Sequence, residues 1–211
     1  MRYVIIIALI ILGYLSGSVL YAELFTNIIC KKSLFEVSRN HNPGTANAFI
    51  YGNKACGILA VTGDLLKGML PVMIYVRLFG ITSPLIAIIM LAPVIGHGYS
   101  CFYHMRGGMC IATSFGVFIG LLPIWEPLGC LIVFYLTLLM IPRMHNSIRT
   151  IIAFTCTAAS ILILCIFQPI MTFIFLGIFL ITITVVIKMR EDLNRRGIYE
   201  KRMQAKEEEE L

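Results

Sequence analysis

The most polar loop of the chain begins at Ser38 and contains Asn42, Asn47 and the dipeptide Pro43-Gly44. Proline fixes one backbone torsion and glycine admits conformations that other residues avoid, so the pair can direct successive backbone N–H groups into one concavity. Such a concavity binds an anion, and the asparagine amides add donors and acceptors for hydroxyl groups. The loop therefore predicts either a site for an anion and hydroxyl groups or a plain turn.

Two ionisable residues, Asp64 and Lys67, lie inside an apolar run and are three positions apart. On a helix this spacing places them on one face, where opposite charges neutralise one another. An ionisable side chain inside a membrane span is costly and usually faces a polar cavity or a charged partner. The pair is interpreted either as a structural contact between helices or as a substrate contact made by Lys67.

A third polar stretch, residues 96–116, contains His97 and the run Arg106, Gly107, Gly108 directly before an apolar segment. Glycines allow close approach of a ligand, and a helix N-terminus offers free N–H groups to a phosphate. His97 is the best candidate for a general base, because an imidazole ordinarily titrates near neutral pH. The alternative for His97 is a hydrogen-bonded residue at the membrane interface.

The four histidines and seven cysteines show no metal-binding pattern. The cysteines are scattered and include no C-x-x-C pair, whereas a zinc site requires closely spaced ligands. We interpret them as small apolar packing residues. The sequence therefore predicts no metal site.

The elements that must position these residues are apolar helices. The chain has 211 residues, of which 59% are hydrophobic and 13% charged, and its mean hydropathy is +0.89. A soluble domain has about a quarter of its residues charged. A run of about 20 apolar residues is what a helix needs to cross a hydrocarbon core of about 30 Å. The composition predicts an all-α, polytopic membrane protein.

Seven membrane spans are predicted. They are residues 4–25, 55–78, 84–95, 111–123, 128–141, 150–167 and 170–187. The first is interpreted as a retained span, because no small-residue cleavage site follows it. The third, fourth and fifth are short, so we expect them to be tilted, broken or extended by flanking residues. One transmembrane domain, residues 1–190, is thus followed by a charged tail, residues 191–211.

The distribution of basic residues predicts the orientation. If the N-terminus lies outside and every span crosses, the inside segments hold seven Lys and Arg residues in loops and seven in the charged C-terminal segment from residue 188 onward, which makes fourteen. The outside segments hold only Arg2 and Arg77, and Lys67 lies in the membrane. An excess of Lys and Arg marks cytoplasmic segments. The C-terminus is therefore predicted in the cytoplasm, and the net charge of +6 does not indicate nucleic-acid binding.

This topology places three polar segments on one face. The segments around Asn42, Arg106 and Ser147 all emerge in the cytoplasm and are expected to converge. The charged tail is interpreted as a solvated helix, or alternatively as a segment that binds anionic lipid headgroups. The oligomeric state is left open.

In order and spacing, these motifs resemble the bacterial acyl-phosphate:glycerol-3-phosphate acyltransferases, an integral membrane family. The matching pieces are GSVLYAEL, NPGTAN for the family's N-P-G-A-T-N, DLLKGMLPV for D-x-x-K-G-x-x-P-V, GH at positions 96–97, and GGMCIATSFG for G-G-K-G-V-A-T. The resemblance implies acyl transfer from acyl phosphate to the sn-1 hydroxyl of glycerol 3-phosphate, which gives lysophosphatidic acid for phospholipid synthesis. It implies a location in the bacterial cell membrane. It also implies that the reaction uses no covalent acyl-enzyme, no metal and no organic cofactor.

The resemblance also implies which residues form the site. The glycerol phosphate pocket would contain Ser38, Asn42, Gly44 and Asn47. The donor phosphate loop would contain Gly107 and Gly108, and His97 would occupy a polar position beside that loop. Ser147, in the loop after the fifth span, matches a family serine only loosely.

The chain departs from the family pattern where that pattern carries charge. Met109 stands in place of a lysine, and Ile50 in place of an arginine. Near the C-terminus, Met189, Arg190 and Asp192 occupy positions where His or Asn is expected.

Losing a cationic phosphate ligand costs about 2–5 kcal/mol, so compensation is needed if the activity is kept. Arg39 and Arg106 are predicted to supply it, because arginine binds phosphate in a bidentate manner. Two alternatives remain open. One is a divergent paralogue, with another acceptor or without catalysis, that binds lipid or a partner, and the other is an unrelated small transporter or channel.

Overall fold

The chain folds into ten α-helical segments in the computed structural model, which describes residues 1–209 and the side chains of residues 1–195 and 197. The segments are α1 (Arg2–Ser18), α2 (Tyr21–Cys30), α3 (Leu34–Val37), α4 (Thr45–Asn47), α5 (Lys54–Phe79), α6 (Leu85–Gly98), α7 (Ile111–Gly120), α8 (Glu126–Leu139), α9 (Asn146–Phe167) and α10 (Thr172–Glu209). Within residues 1–209 there is no β-strand, which confirms the all-α prediction.

Four stretches of the described chain are long and apolar enough to cross a membrane: Lys54–Phe79, Leu85–Tyr103, Asn146–Phe167 and Pro169–Arg195. Helices α1 and α2 together form a fifth, bent by 41°. Helices α7 and α8 are apolar but have only 10 and 14 residues, fewer than the roughly 20 that a straight crossing requires. The membrane class of the chain is therefore confirmed, and the count of seven crossings stays a prediction.

Helix α5 lies within one residue of the predicted second span at each end. It begins after Asn53, whose side chain accepts a hydrogen bond of 2.9 Å from the backbone N–H of Cys56. It ends at Gly80, whose φ of 72° is readily adopted only by glycine. Helix α10, in contrast, continues past the predicted seventh span, and the side chains of most of the predicted tail lie outside the described residues.

The break between α1 and α2 is stabilised by hydrogen bonds from other helices. The carbonyl oxygen of Ser18 accepts one from the hydroxyl of Ser100 at 2.6 Å, and that of Val19 accepts one from Lys67 Nζ at 2.7 Å. Backbone groups that leave a helix inside a membrane need such partners. The predicted first span is thus a bent pair, and its bend faces α5 and the end of α6.

Glycines let two helix pairs approach with their backbones almost in contact. A Cβ added to Gly116 of α7 would overlap the backbone of Leu65 in α5, and one added to Gly17 of α1 would overlap the backbone of Pro93 in α6. Small residues at such contacts are typical of helix packing in membranes. The first contact holds α7 against α5, and the glycine loop leads directly into α7.

Gly116→Ala is expected to lower the free energy of unfolding by about 1–3 kcal/mol, because the added methyl group meets backbone atoms that no side-chain rotation can move. Thermal unfolding in detergent micelles measures the effect. Gly197→Ala is the matched control, since no atom of the described residues lies within 4 Å of a Cβ at that position. Equal melting temperatures for the two variants would contradict the tight contact.

Candidate active site

A buried network of three charged or polar side chains joins α5, α6 and the break between α1 and α2. Lys67 Nζ lies 2.7 Å from Asp64 Oδ1 and 2.8 Å from His97 Nδ1, and it donates to the carbonyl oxygen of Val19. The exposed fractions of Asp64, Lys67 and His97 are 1%, 4% and 3%. The pair thus links α5 to the break between α1 and α2 and to the predicted catalytic histidine, and a substrate contact by Lys67 stays a prediction.

The Asn-Pro-Gly loop lies directly beside this network. Thr45 Oγ1 donates to Asp64 Oδ2 at 3.2 Å. Inside the loop, Asn47 Nδ2 donates to the carbonyl oxygen of Asn42 at 2.7 Å, and Ser38 Oγ accepts from the backbone N–H of Asn42 at 3.1 Å. Ser38 and Asn47 thus stabilise the turn, which leaves the side chain of Asn42 at the surface of the site.

The glycine loop before α7 packs on His97. The backbone N–H of Gly108 donates to the carbonyl oxygen of His97 at 2.9 Å. A Cβ at Gly107 would overlap the backbone of His97 and Gly98, and one at Gly108 would overlap the His97 imidazole. Only glycine fits at both positions, so the glycine loop can pack directly against the backbone and the imidazole of His97.

Asp192 of α10 connects the other predicted loops. Its carboxylate accepts hydrogen bonds from Asn40 Nδ2 at 2.8 Å and from Ser147 Oγ at 2.7 Å. A buried carboxylate needs such donors to offset the loss of its hydration. The segments around Asn42 and Ser147, far apart in sequence, are thereby held together, and the glycine loop lies beside them.

Lys188 is a functional candidate that the sequence analysis did not single out. Its exposed fraction is 6%, its ammonium lies 2.8 Å from Glu191 Oε2, and it stands 4.6 Å from the centre of the Tyr99 ring. The available signal was its position as the first charge after the last apolar run. Charges at that point usually belong to a solvated helix end, which is how the tail was interpreted.

Lys188 lines a small cleft, which we name the polar cleft. The cleft measures about 10 Å³ and is bounded by Asn40, Asn42, Gly107, Gly108, Met109, Lys188, Glu191, Asp192 and Arg195. This volume is about that of one water-sized probe. A phosphate group therefore enters only if the side chains of Lys188, Glu191 or Arg195 move.

A larger cavity of about 430 Å³, the apolar groove, begins at the same loops and continues between the helices. Its polar end is formed by Asn42, Gly44, Thr45, Asp64 and His97. Its other walls are mainly apolar and include Val61, Leu65, Ile111, Ala112 and Phe115. A cavity with a polar end and apolar walls suits an amphiphile whose head group lies at the loops.

The two arginines predicted to compensate for lost cations lie elsewhere. Arg39 and Arg106 are both exposed, and neither lines the polar cleft or the apolar groove. Of the other predicted residues, Asn42, Gly44, His97, Gly107 and Gly108 line one or both cavities.

Comparison with known proteins gives the family. Residues 7–197 match the family model described as glycerol-3-phosphate acyltransferase. The chain belongs to this family. A glycerol-3-phosphate acyltransferase of Trichlorobacter lovleyi is 33% identical over 187 residues, which are 87% of this chain and 92% of the relative. One of Legionella pneumophila (strain Corby) is 33% identical over 196 residues, 90% of this chain, but the match spans only 65% of that relative's length.

Solved structures of another family member show the same architecture. The integral membrane glycerol 3-phosphate acyltransferase PlsY (YgiH), in its glycerol 3-phosphate form, aligns with a TM-score of 0.77 and 26% identity over 90% of each chain. Its lysophosphatidic acid form aligns with a TM-score of 0.71. The resemblance in the sequence motifs thus extends to the fold of this acyltransferase family member.

Proposed function

We propose that the chain transfers an acyl group from acyl phosphate to glycerol 3-phosphate and forms lysophosphatidic acid. The observation that carries the proposal is the meeting of the apolar groove with the glycine loop at His97. This arrangement holds an acyl chain between helices while its phosphate lies at the N-terminus of α7, beside the glycine loop. Membership of the acyltransferase family supports the same reaction.

The proposed topology has seven crossings, with the N-terminus outside and the C-terminus in the cytoplasm of a bacterial cell. The short helices α7 and α8 would then cross as the fourth and fifth spans with the help of flanking residues. The excess of basic residues on one side supports this orientation. The site would open at the cytoplasmic surface, where both a soluble acceptor and a lipid-borne donor are accessible.

The reaction requires positioning more than an activated protein nucleophile. The hydroxyl oxygen of the acceptor bonds to the carbonyl carbon, the bond from that carbon to the phosphate oxygen breaks, and inorganic phosphate leaves with the hydroxyl proton. Holding two reactants in the correct geometry can by itself supply about 7–11 kcal/mol of the barrier. In this proposal Asn42 and Gly44 position the acceptor, Gly107 and Gly108 the donor phosphate, and His97 contacts the reacting group.

Lys188 supplies the buried positive charge that the phosphate groups need. It is the buried cation of the polar cleft, beside Gly107, Gly108 and Met109, where the family pattern provides a lysine from the loop itself. Glu191 now neutralises it at 2.8 Å. The proposal therefore includes displacement of Glu191 by a substrate phosphate.

A second candidate function is transfer to an acceptor without a phosphate. It is favoured by the two carboxylates of the polar cleft, Glu191 and Asp192, which balance the two cations Lys188 and Arg195. A cleft with balanced charge and asparagine amides suits hydroxyl groups better than a dianion.

Complementation of a bacterial strain that lacks its own glycerol-3-phosphate acyltransferase tests the proposed function in a membrane. Growth restored by the wild-type chain, and not by a Gly108→Val variant of equal abundance, is the expected result. Absence of growth with well-expressed wild-type protein would contradict it and favour the second candidate.

Glu191→Gln is expected to lower the KM for acyl phosphate by up to about fivefold, because a partly exposed ion pair is worth at most about 1 kcal/mol. Phosphate release by the purified protein measures the change. Glu126→Gln is the control, since Glu126 lies at the start of α8 and lines neither cavity. An unchanged or raised KM in Glu191→Gln would show that Glu191 does not compete with the donor for Lys188.

A further inference from the structure

The hydrogen bonds of Lys67 determine which nitrogen of His97 carries a proton. Lys67 Nζ lies 2.7 Å from the carbonyl oxygen of Val19, and that oxygen can only accept. It lies at the same distance from Asp64 Oδ1. An ammonium has three donors and no acceptor, so the His97 Nδ1 atom, 2.8 Å away, must accept a hydrogen bond from it.

The alternative arrangement is a neutral Lys67 amine that accepts a hydrogen bond from the Nδ1–H of His97. With a neutral His97, it would leave the Asp64 carboxylate, 1% exposed, without a cation beside it. A buried carboxylate without a paired charge is strongly unfavourable. With a charged His97, which lies 3.6 Å from Asp64 Oδ1, the ring would be an acid in direct contact with Lys67, a much stronger base that takes its proton. With Lys67 as an ammonium, an imidazole whose Nδ1 accepts must carry its single proton on Nε2.

The Nε2 atom faces the candidate site. It lies against Gly108, where an added Cβ would overlap it, and His97 lines the apolar groove. Among the residues whose side chains are described, no hydrogen-bond partner of Nε2 is found. His97 as a whole is 97% buried, and its Nε2 atom lies against the donor phosphate loop, so the acceptor for an Nε2–H group is expected to come from a bound substrate.

We infer that His97 acts as a neutral Nε2–H hydrogen-bond donor to the carbonyl oxygen of the acyl phosphate, and that Lys67 holds it in this tautomer. Negative charge develops on that oxygen when the acceptor hydroxyl attacks, and a preorganised donor stabilises it. His97 is then a catalytic residue that does not take the hydroxyl proton, in contrast to the general-base role predicted from the sequence. Lys67 is a positioning residue. The inference rests on the proposed acyl transfer.

A pair of substitutions separates the two roles of His97. Glutamine can place an amide oxygen near Lys67 and an N–H donor near the position of Nε2, but it cannot act as a base at neutral pH. His97→Gln is expected to keep kcat within about tenfold of wild type, whereas His97→Leu should lose about a hundredfold or more, as removal of one oxyanion donor does. Equal loss in both folded variants would overturn the donor role. His104→Gln, on an exposed loop residue, is the control.

¹⁵N spectra of histidine-labelled protein in lipid nanodiscs test the tautomer without any turnover. The signal of His97 is assigned by its absence from His97→Gln. The expected spectrum shows a neutral ring with its proton on Nε2, and a proton on Nδ1 or a charged ring at neutral pH would overturn the inference. In the Asp64→Leu/Lys67→Met double variant the exclusive Nε2–H form should be lost, and its persistence would show that Lys67 does not select it.

The activity measurements and the ¹⁵N spectra together distinguish this inference from the proposed function. Wild-type protein that makes no lysophosphatidic acid would overturn the proposed function and the catalytic role of His97 together. The spectrum would then still confirm or contradict the Lys67–His97 assignment.

Discussion

Asp64→Leu is expected to lower the free energy of unfolding by about 3–5 kcal/mol, because it leaves the ammonium of Lys67 buried without its carboxylate. Asp64 and Lys67 are 1% and 4% exposed, so water cannot replace the lost partner. The Asp64 carboxylate also accepts from Thr45, so the Asn-Pro-Gly loop loses a contact as well. Thermal unfolding in micelles measures the change.

The double variant Asp64→Leu/Lys67→Met is the control for this prediction. Removing both charges should restore much of the lost stability, since apolar residues of similar volume often replace a buried ion pair at little cost. The double variant is nevertheless expected to be poorly active, because His97 loses the donor to its Nδ1. A double variant less stable than Asp64→Leu would contradict the view that the single variant fails through an unpaired charge.

Lys188→Met is expected to lower kcat/KM for acyl phosphate at least about thirtyfold. Methionine keeps the apolar stem that packs beside Gly98 but removes the ammonium of the polar cleft. Truncating one partner of a buried charge-assisted contact costs about 2 kcal/mol or more, which corresponds to that factor. Initial rates of phosphate release at varied acyl phosphate concentration measure it.

Lys54→Met, at an exposed cation that begins α5, is the matched control and should keep the wild-type value. Arg39→Ala and Arg106→Ala test the competing prediction from the sequence, in which these exposed arginines bind the phosphates. If both arginine variants lose activity and Lys188→Met does not, the charge comes from the loops and the role given to Lys188 is wrong.

Much of the fold followed from local sequence signals. Helix α5 was predicted to within one residue at each end from its apolar run, and the structure shows that Asn53 and Gly80 cap this run at its two ends. The bend after Ser18 was not predicted, because it depends on hydrogen bonds from Ser100 and Lys67, which lie far along the chain. The number of membrane crossings also stays a prediction. Helices α7 and α8 are too short to cross alone, so whether they cross depends on the segments that flank them.

Sequence motifs predicted part of the candidate site. The residues that were missed are those whose burial or hydrogen bonds depend on distant parts of the chain. Gly107, Gly108 and His97 were expected to lie together, and they pack directly on one another. The burial of Lys188 could not be predicted, because Tyr99 and the glycine loop cover it from distant parts of the chain. The hydrogen bond from Asn40 to Asp192 likewise joins residues 152 positions apart.

The most direct test is the conversion of labelled glycerol 3-phosphate by the purified full-length protein in lipid nanodiscs, with acyl phosphate as donor. The account predicts that labelled lysophosphatidic acid and inorganic phosphate form in equal amounts, and that Gly108→Val forms neither. Phosphate release without labelled product would contradict transfer to glycerol 3-phosphate, and no reaction at all by folded wild-type protein would contradict the acyltransferase activity itself.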